Sequence, residues 1–563
     1  MKKFLLLILT VISIDISAQT VEWVKTLGGE GDDEGHKCAV DASGNFLFTG
    51  TFSEKMDWGD DNIMCAGKRD MFVIKTDKNG NVLWANSAGG DFDNTALGKA
   101  VTTDANNNVY VGGTFNDTLK IGAQQFVAEN EVDKTVTDCF VAKYSEQGDL
   151  IWVKIFSGVA GDVIEEMNIL DNQLVIVGSY KESINILGTT FTSDDPNVQA
   201  NYNPFVANLN LDGELNWVDK VNCTNGTCRA FDIDSEGNIN VLLEAKGSIA
   251  IKNVGSGTQY ALKQSNAMQD NYIVKLKGDD GSLLWGNRLG SASYMMGYAV
   301  ETDASNNIYC GGLFQGELKL ESLDGNYQKV NAVNKFDYYV CKYSTDGNLL
   351  LVDAQGGSSI EGALDMIVNS NGSLYVAAYF LKPETTFHGE TFSCDDGNEA
   401  LLIKYDNTGE YSWAKQTSTT ENSGYIYSME MASKDSLILL GHFKGDGTFF
   451  DGETYSTPDT LKDVWFALMA DPESETTGTN NLDENNSNIV IYPIPANNYL
   501  YVRSNEYSDP VQSISVYNII GEKIYENNNG ANELEISNIP SGVYFIQVKS
   551  KYKQKTKQIL IQH

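Results

Sequence analysis

Val101–Phe115 reads VTTDANNNVYVGGTF and Asp138–Trp152 reads DCFVAKYSEQGDLIW, with a polar stretch between them. Tyr110, Gly112 and Thr114 alternate with Val111, Gly113 and Phe115, the period of two expected of a strand. Asp104 to Asn108 (DANNN) and Ser145 to Gly148 (SEQG) are turn chemistry, because Asx and Ser side chains satisfy local backbone and Gly accepts positive φ. The stretch is therefore a β-meander. One such unit cannot bury both of its faces, so repeats of it must stack or close radially.

Repeats are present. Seven approximate copies lie between Val21 and Ala470, marked by Trp23, Trp84, Trp152, Trp217, Trp285 and Trp413, with Leu351 in the equivalent place. A second marker reads DMFVIK at 70, DCFVAK at 138 and DNYIVK at 270, and loosens to NPFVAN at 203, DYYVCK at 337, EALLIK at 399 and DVWFAL at 463. A third is the turn and strand GNFLFTGTF at 44, NNVYVGGTF at 107 and NNIYCGGLF at 306. Each copy holds four strand-like segments, in the second copy Ala100–Asp104, Val109–Phe115, Phe140–Tyr144 and Leu150–Phe156. An extended polar hairpin separates the second and third; the other joints are tight turns, so neighbours pair antiparallel. Four-stranded sheets repeated radially make an all-β fold, a seven-bladed β-propeller. The chain opens on a Trp strand (Val21–Leu27) without its three predecessors, and its repeats end at Val464–Met469 without a Trp strand. Setting the first beside the last supplies both deficits, closes the ring and removes exposed edges.

The combination W-x(3)-x-G-G, V-x-D-x-x-G-N-x-Y-x-x-G-x-F and D-x-F-V-x-K-x-x-x-x-G-x-x-x-W resembles the SBBP-type β-propeller repeat of secreted bacterial proteins. It covers about residues 21–470; the first, second and fifth copies match best, and the others have lost a Gly, the Phe or the Trp. The resemblance implies a propeller outside the cytoplasm and brings no mechanism with it.

Both ends of the chain speak of export. Lys2 and Lys3, the apolar run Phe4 to Ile14, and Ile16-Ser17-Ala18 form a signal peptide over 1–18, with cleavage expected after Ala18. No Cys follows that site, so a lipoprotein anchor is not expected, and no other stretch reaches transmembrane length. The propeller is assigned to 19–470. Residues 471–488 (DPESETTGTNNLDENNSN) lack apolar periodicity and read as a disordered linker. Residues 489–563 read as a small β-sandwich of short alternating strands broken by Gly, Asn and Pro turns. This unit resembles the C-terminal sorting domain of type IX secretion substrates of Bacteroidetes through YPIPANNYL at 492–500, ISVYNIIGEKIY at 514–525, ISNIPSGVYFIQV at 536–548 and the Lys-rich finish KQKTKQILIQ. Ile494 stands where the usual opening has Asn. The resemblance implies passage across the outer membrane by the type IX machinery, removal of the domain, and surface attachment or release.

The formal net charge of −36 on 563 residues repels phosphate backbones and disfavours nucleic acid as a partner. Eight cysteines in an exported protein permit disulfides without requiring them. Cys38, Cys139, Cys310 and Cys341 fall on strand patterns and suit small buried hydrophobes. Cys65 and Cys394 occupy comparable hairpins of distant copies. Cys223-Thr-Asn-Gly-Thr-Cys228 is the one local pair, and the sequence leaves its state open.

No catalytic constellation stands out. The four histidines (His36, His388, His442, His563) show no metal-binding or HExxH spacing, and His36 and His442 lie in copies at opposite ends of the repeats, so base chemistry would need long-range convergence. The recurring Gly-x-x-x-Trp (Gly80–Trp84, Gly148–Trp152, Gly213–Trp217, Gly281–Trp285, Gly409–Trp413) resembles an element of quinone-dependent dehydrogenase propellers, but a packing aromatic is the simpler reading. Asp77–Asn81 and Asp234–Asn238 resemble calcium loops without the ligand run or distal Glu, and read as Asx turns. The acidic segments Asp32, Asp33, Glu34; Asp91, Asp93; and Asp162, Glu165, Glu166 are expected to share one rim, the place for any cationic ligand. No catalytic residue and no cofactor is expected, and no metal ligand is assigned. The function expected is a secreted or surface-attached, non-catalytic binding or adhesion module for an extracellular glycan or protein. The alternative is an extracellular polysaccharide hydrolase or lyase, which requires paired buried carboxylates in a pocket. A purely structural surface-layer role is the third possibility.

Overall fold

The computed structural model describes residues 21–470, except 59–60, 92, 130–132, 195–200, 265–268, 334, 358, 382, 395–396, 421–423, 435, 451 and 458–460. Of the C-terminal segment it describes 489–492, 499–504, 511–518, 522–527, 533–540, 542–550 and 554–561. The expected leader and linker lie outside these residues. Two compact units emerge, one over Ala18–Asp471 and one holding 472–563.

The larger unit is all-β, propeller-like, and built from recurring four-stranded antiparallel sheets; five of them are widened to six strands. In the copy containing Val101–Trp152 the strands are Ala96–Thr103, Val109–Asn116, Thr137–Tyr144 and Leu150–Gly158, each reaching one to four residues beyond the sequence expectation at one end or the other. Val21–Glu30 pairs antiparallel with Lys462–Ala470, so the first strand of the chain completes a sheet with three of the last.

The polar hairpins do more than connect. Thr118–Ile121 and Gln124–Val127 leave their own sheet and add to Val82–Gly89 of the preceding one, with Lys120 opposite Gly89. Ser183–Ile186, Ala250–Asn253, Glu317–Glu321 and Lys55–Trp58 do the same to Leu150–Gly158, Leu215–Asn222, Leu283–Ser291 and Val21–Glu30. Each such hairpin covers a sheet edge that would otherwise expose unpaired backbone.

The sequence markers turn out to be partners. The Asp opening the D-x-F-V-x-K strand sits under the glycines that end the Trp strand: a Cβ on Gly89 would fall 1.8 Å from Asp70 Oδ1, and one on Gly28 2.2 Å from Asp463 Oδ1. Asp70 accepts hydrogen bonds from the Ala66 and Gly67 amides, and Asp138 from those of Glu129 and Gly158. The marker Trp packs on the tight turn of the next copy. Trp84 Nε1 donates to Glu146 O (3.0 Å), Trp217 Nε1 to Gly278 O (2.8 Å) and Trp285 Nε1 to Thr345 O (3.0 Å). Gly148 is required there twice over, since its φ is +90° and a Cβ would meet Trp84 at 2.8 Å.

The Lys of D-x-F-V-x-K reaches the Asx turn between the first two strands. Asp234 accepts from the Glu236 and Asn238 amides and forms an ion pair with Lys275 at 2.7 Å; the Lys275 side chain is 3% exposed and that of Asp234 is fully buried. Lys75–Asp41 (2.7 Å) and Lys342–Asp303 (2.9 Å) repeat the arrangement. Burial opposes ionisation of Asp234, but hydrogen bonds from Lys275 and Asn238 outweigh it and hold the carboxyl below its ordinary range. K275M leaves that carboxylate buried and uncompensated, and is expected to cost about 3–5 kcal/mol in denaturant unfolding. The double change D234N/K275M should recover part of this, because the sixth copy uses Asn369 at the same turn position, accepting from the Asn371 and Ser373 amides. A double variant no more stable than K275M would contradict this account.

The C-terminal unit has a three-stranded sheet (Ile489–Tyr492, Tyr499–Ser504, Glu533–Glu535) and a four-stranded one (Val511–Tyr517, Lys523–Asn527, Gly542–Ser550, Gln554–Ile561). Val502 and Leu534 of the first share a core with Ile514, Val516, Ile546, Val548 and Ile561 of the second. That is the arrangement of a small sandwich.

Candidate functional site

The first strand of every copy carries a β-bulge. In each, one residue is skipped in the pairing: His36, Lys99, Glu165, Arg229, Tyr298, Leu364 and Tyr427 in turn. A bulge re-aims its side chain out of the regular alternation. Here all seven side chains line a single cavity of about 500 Å3. Of the seven, only His36 and Glu165 stood out in the sequence, and neither as part of such a set. A signal existed: in five copies the bulge lies five residues before the Asx-turn residue (Asp41, Asp104, Asp234, Asp303, Asn369).

Deeper in the cavity Lys37 reaches acids from two distant copies, with Nζ 2.5 Å from Glu166 Oε1 and 3.9 Å from Asp365 Oδ1. Burial alone would favour the neutral amine, but Asp365 and Glu166 outweigh it and keep Lys37 protonated. The same acids hold backbone of the next copy: Glu166 accepts from the Phe231 amide (2.9 Å) and Asp365 from that of Met429 (2.7 Å). Asp232, Glu301 and Glu430 complete the acidic lining. They are open to the cavity yet deep within protein, and burial pushes Asp232 up to about 6, Glu430 to about 7, and Glu301 well above the ordinary carboxylate range. Carboxyls that hold protons near neutrality therefore sit beside the ion pair made by Lys37.

Tyr298 and Tyr427 supply tyrosine rings to the cavity wall. Tyr427 is backed by Tyr425, 5.0 Å away ring to ring, and the Arg229 guanidinium lies 5.6 Å from the Tyr298 ring. Two histidines, His36 and His442, also line the cavity. His442, 2% exposed, has Tyr427 at 4.9 Å and makes no hydrogen bond from either ring nitrogen among the described residues. Burial, then the nearby Lys462 charge, lower its pKa to about 3, so it is neutral at physiological pH. His36 Nδ1 lies 2.6 Å from Gly98 O, and its Nε2 3.7 Å from Glu34 Oε2. Glu34 also pairs with Lys462 at 2.6 Å; His36 and Lys462 hold it far below the usual carboxylate range against its burial. Sequence distance had set His36 and His442 apart, and the pairing of the chain's two ends brings them to one cavity. His388 lies elsewhere, 2.9 Å from Asp353 and stacked on Tyr411. His563 is outside the described residues.

The expected acidic rim divides into three environments. Glu34, Glu165 and Glu166 face the cavity; Asp33 and Asp162 are fully buried; Asp32 and Asp91 form ion pairs outside it with Arg69 at 3.3 Å and Lys120 at 2.5 Å, and Asp93 is exposed. Asp77–Asn81 and Asp234–Asn238 are Asx turns closed by their own side chains. Among the described residues no group of three or more His, Cys, Asp or Glu is arranged to hold a metal ion, and no helix is long and apolar enough to cross a membrane. No disulfide joins Cys223 to Cys228.

The fold defines a propeller-type repeat protein with a charged cavity lined by the bulged residues of its repeats. Residues 490–562 match the family described as the secretion system C-terminal sorting domain, so the chain ends in a type IX sorting domain and is a secreted or cell-surface protein. A curated relative, an uncharacterized WD repeat-containing protein of Acanthamoeba polyphaga mimivirus, is 22% identical over 506 residues; the match takes in 75% of this chain and only 36% of that protein's length. Among solved structures, similarity extends to PorZ, a surface component of the type IX secretion system of Porphyromonas gingivalis (12% identity, 94% of this chain and 81% of that one, TM-score 0.24). It extends also to YCF48 of Cyanidioschyzon merolae (10% identity, 80% and 99%, TM-score 0.33).

Proposed function

We propose that the chain is a signal peptide (1–18), a seven-bladed β-propeller (19–470), a linker (471–488) and a sorting sandwich (489–563) that engages the type IX machinery. In this reading the mature propeller, secreted or held on the outer membrane surface, is a non-catalytic binding module whose central cavity takes a polar extracellular ligand, first of all a glycan. Ring closure is supported by Val21–Glu30 beside Lys462–Ala470, and by Glu34–Val40 packing on both Ala96–Thr103 and Tyr425–Ser433. The observation that carries ligand binding is the set of seven bulges turned into one cavity, with buried His442 offering two unbonded nitrogens there. Tyrosine faces suit sugar rings, and Arg229 with the carboxylates suits their hydroxyls.

The test is thermal unfolding of the mature chain against a panel of extracellular polysaccharides. A ligand at a hundred times its Kd stabilises by about 2.7 kcal/mol, roughly 3 °C for a protein of this size. H442L is expected to lose that shift while its unliganded Tm stays equal or rises, since a buried unbonded polar group is replaced by an apolar one. A full shift in both H442L and R229Q would place the ligand elsewhere.

The hydrolase or lyase reading keeps support from one observation: burial pushes the Glu430 carboxyl up to about 7 and Asp232 to about 6 in a cavity where Glu166 pairs with Lys37, and glycoside cleavage needs a carboxyl that can give up a proton near neutrality beside a second carboxyl. Product analysis of the stabilising polysaccharide separates the readings. Under the enzyme reading E430Q keeps the thermal shift and forms no product; under the binding reading no variant, and not the parent, forms any.

A further inference from the structure

The strands Ile308–Gln315 and Asp337–Tyr343 pair antiparallel in a register that sets Cys310 directly opposite Cys341. Both side chains are fully buried, in a core with Ile308, Phe314, Tyr339 and Tyr343. Directly opposed residues of an antiparallel pair have Cα atoms about 4.5–5.5 Å apart, inside the roughly 4.4–6.8 Å that a disulfide spans. In the described strands no other two of the eight cysteines face each other.

The other copies sharpen the point. At the equivalent opposed positions they carry Phe48 and Ile74, Val111 and Ala142, Ile176 and Ala207, Val241 and Val274, Val376 and Ile403, and Leu439 and Ala467. Both positions are apolar in all six, and a cysteine appears at neither. In the remaining copy it appears at both. Two small hydrophobes would fill the space equally well, but nothing in packing requires them to be cysteine together.

We propose that Cys310 and Cys341 form a cross-strand disulfide in the exported protein, joining the second and third strands of their sheet. Two S–H bonds break and one S–S bond forms. The two electrons and two protons released reduce the disulfide of a thiol-oxidising protein or small molecule in the exporting compartment, whose S–S bond breaks to give a pair of thiols. The oxidant rests on export, which the sorting domain implies; the geometry does not depend on it. Because the site is sealed in the core, the bond forms before the sheet is covered and is protected from reductants afterwards. The remaining six cysteines stay as thiols.

The experiment refolds the mature chain with glutathione disulfide, unfolds it in an alkylating agent without reductant, digests it and takes the mass spectrum. The expected result is six alkylated cysteines and a peptide pair linking Cys310 to Cys341, two hydrogens lighter than the reduced pair. The unreduced protein should also melt above the reduced one. The double variant C310V/C341V copies the Val241–Val274 pair of another sheet; it should fold and show no response to reductant. Alkylation of all eight cysteines, or a link between any other two, overturns the proposal. Protein recovered from the surface or medium of the exporting cell should carry the same link; its absence there overturns the proposal for the exported protein.

Discussion

Deletion of residues 19–30 from the mature chain is expected to abolish cooperative folding of the larger unit. Val21–Glu30 is the fourth strand of the sheet that ends the repeats, paired with Lys462–Ala470 from Val21 opposite Met469 to Leu27 opposite Val464. It buries Leu27 and Val24, and its Trp23 lies 5.6 Å from Phe466 and 6.0 Å from Phe46 of the first copy. Gly28 and Gly29 carry the Lys55–Trp58 hairpin, and Lys25 Nζ donates to Asn81 Oδ1 at 3.0 Å. Losing the apolar burial of Trp23, Val24 and Leu27 alone costs about 6 kcal/mol, comparable with the whole stability of many domains. It also bares the edge of Lys462–Ala470, an invitation to aggregate. Size-exclusion chromatography and calorimetry should show soluble aggregate and no sharp transition. A permutant with Val21–Glu30 moved behind Ala470 through a short Gly-Asn turn should fold, since it makes the last sheet continuous in sequence like the others. A deletion variant that stays monomeric with an unchanged Tm would refute ring closure.

What the sequence disclosed, and what it hid, divides along a physical line. Motifs whose partners lie within one copy or the next were legible as patterns because the contacts repeat: Asp234 with Lys275, Asp70 under Gly89, Trp84 on the turn of Gly148. Even there the sequence marked the residues without revealing that they meet. The cavity was hidden for two reasons. A bulge such as Lys99 leaves the period of two almost intact, so the re-aimed residue looks like an ordinary strand position. And the first strand of the chain pairs with Lys462–Ala470, so Glu34, His36 and His442 line one cavity, with Lys462 paired to Glu34, although hundreds of residues separate them. The polar hairpins misled for a third reason: their variable sequences look like free loops, whereas backbone pairing to the preceding sheet asks little of side chains. Cys310 and Cys341 read as separate small hydrophobes because a hairpin of irregular length lies between their strands and leaves the register unstated.

The protein should be more stable at pH 5 than at pH 8, and the reason is the number of carboxyls the fold buries without a cation. Burial raises Asp138 to about 6, Asp219 to about 7, Glu361 to about 7 and Glu399 to about 7, in addition to Asp232 and Glu430 in the cavity. Their hydrogen-bond donors, such as Asn253 to Asp219 and the Thr419 amide to Glu399, favour the ionised form and only soften the shift. Each of these groups has a folded pKa above its unfolded value of roughly 4. The folded state then holds more protons than the unfolded one, and stability falls as pH rises through the window from about 4 to 7. If one pKa unit is realised at each of the six groups, the loss summed over the whole titration is about 8 kcal/mol, on the order of 8 °C in Tm for a chain of this length; about 2 kcal/mol of it falls above pH 5, and that part grows as the groups approach pKa values of about 6 to 7. His442, lowered to about 3, has the opposite sign: it costs stability as pH falls below about 6.5, but it is one group against six. Asp41, Asp104, Asp234 and Asp303 are held below the ordinary range, so their contribution is intact above pH 4 and lost only in stronger acid. The stability curve should therefore peak near pH 5 and fall on both sides. E399Q, which cannot ionise and keeps an oxygen for the Thr419 amide, should flatten the alkaline limb by its own share. A Tm that is level or rising from pH 5 to pH 8 would mean that these carboxyls are hydrated or paired in ways their buried positions do not suggest, and would remove the electrostatic case for protonated acids in the cavity as well.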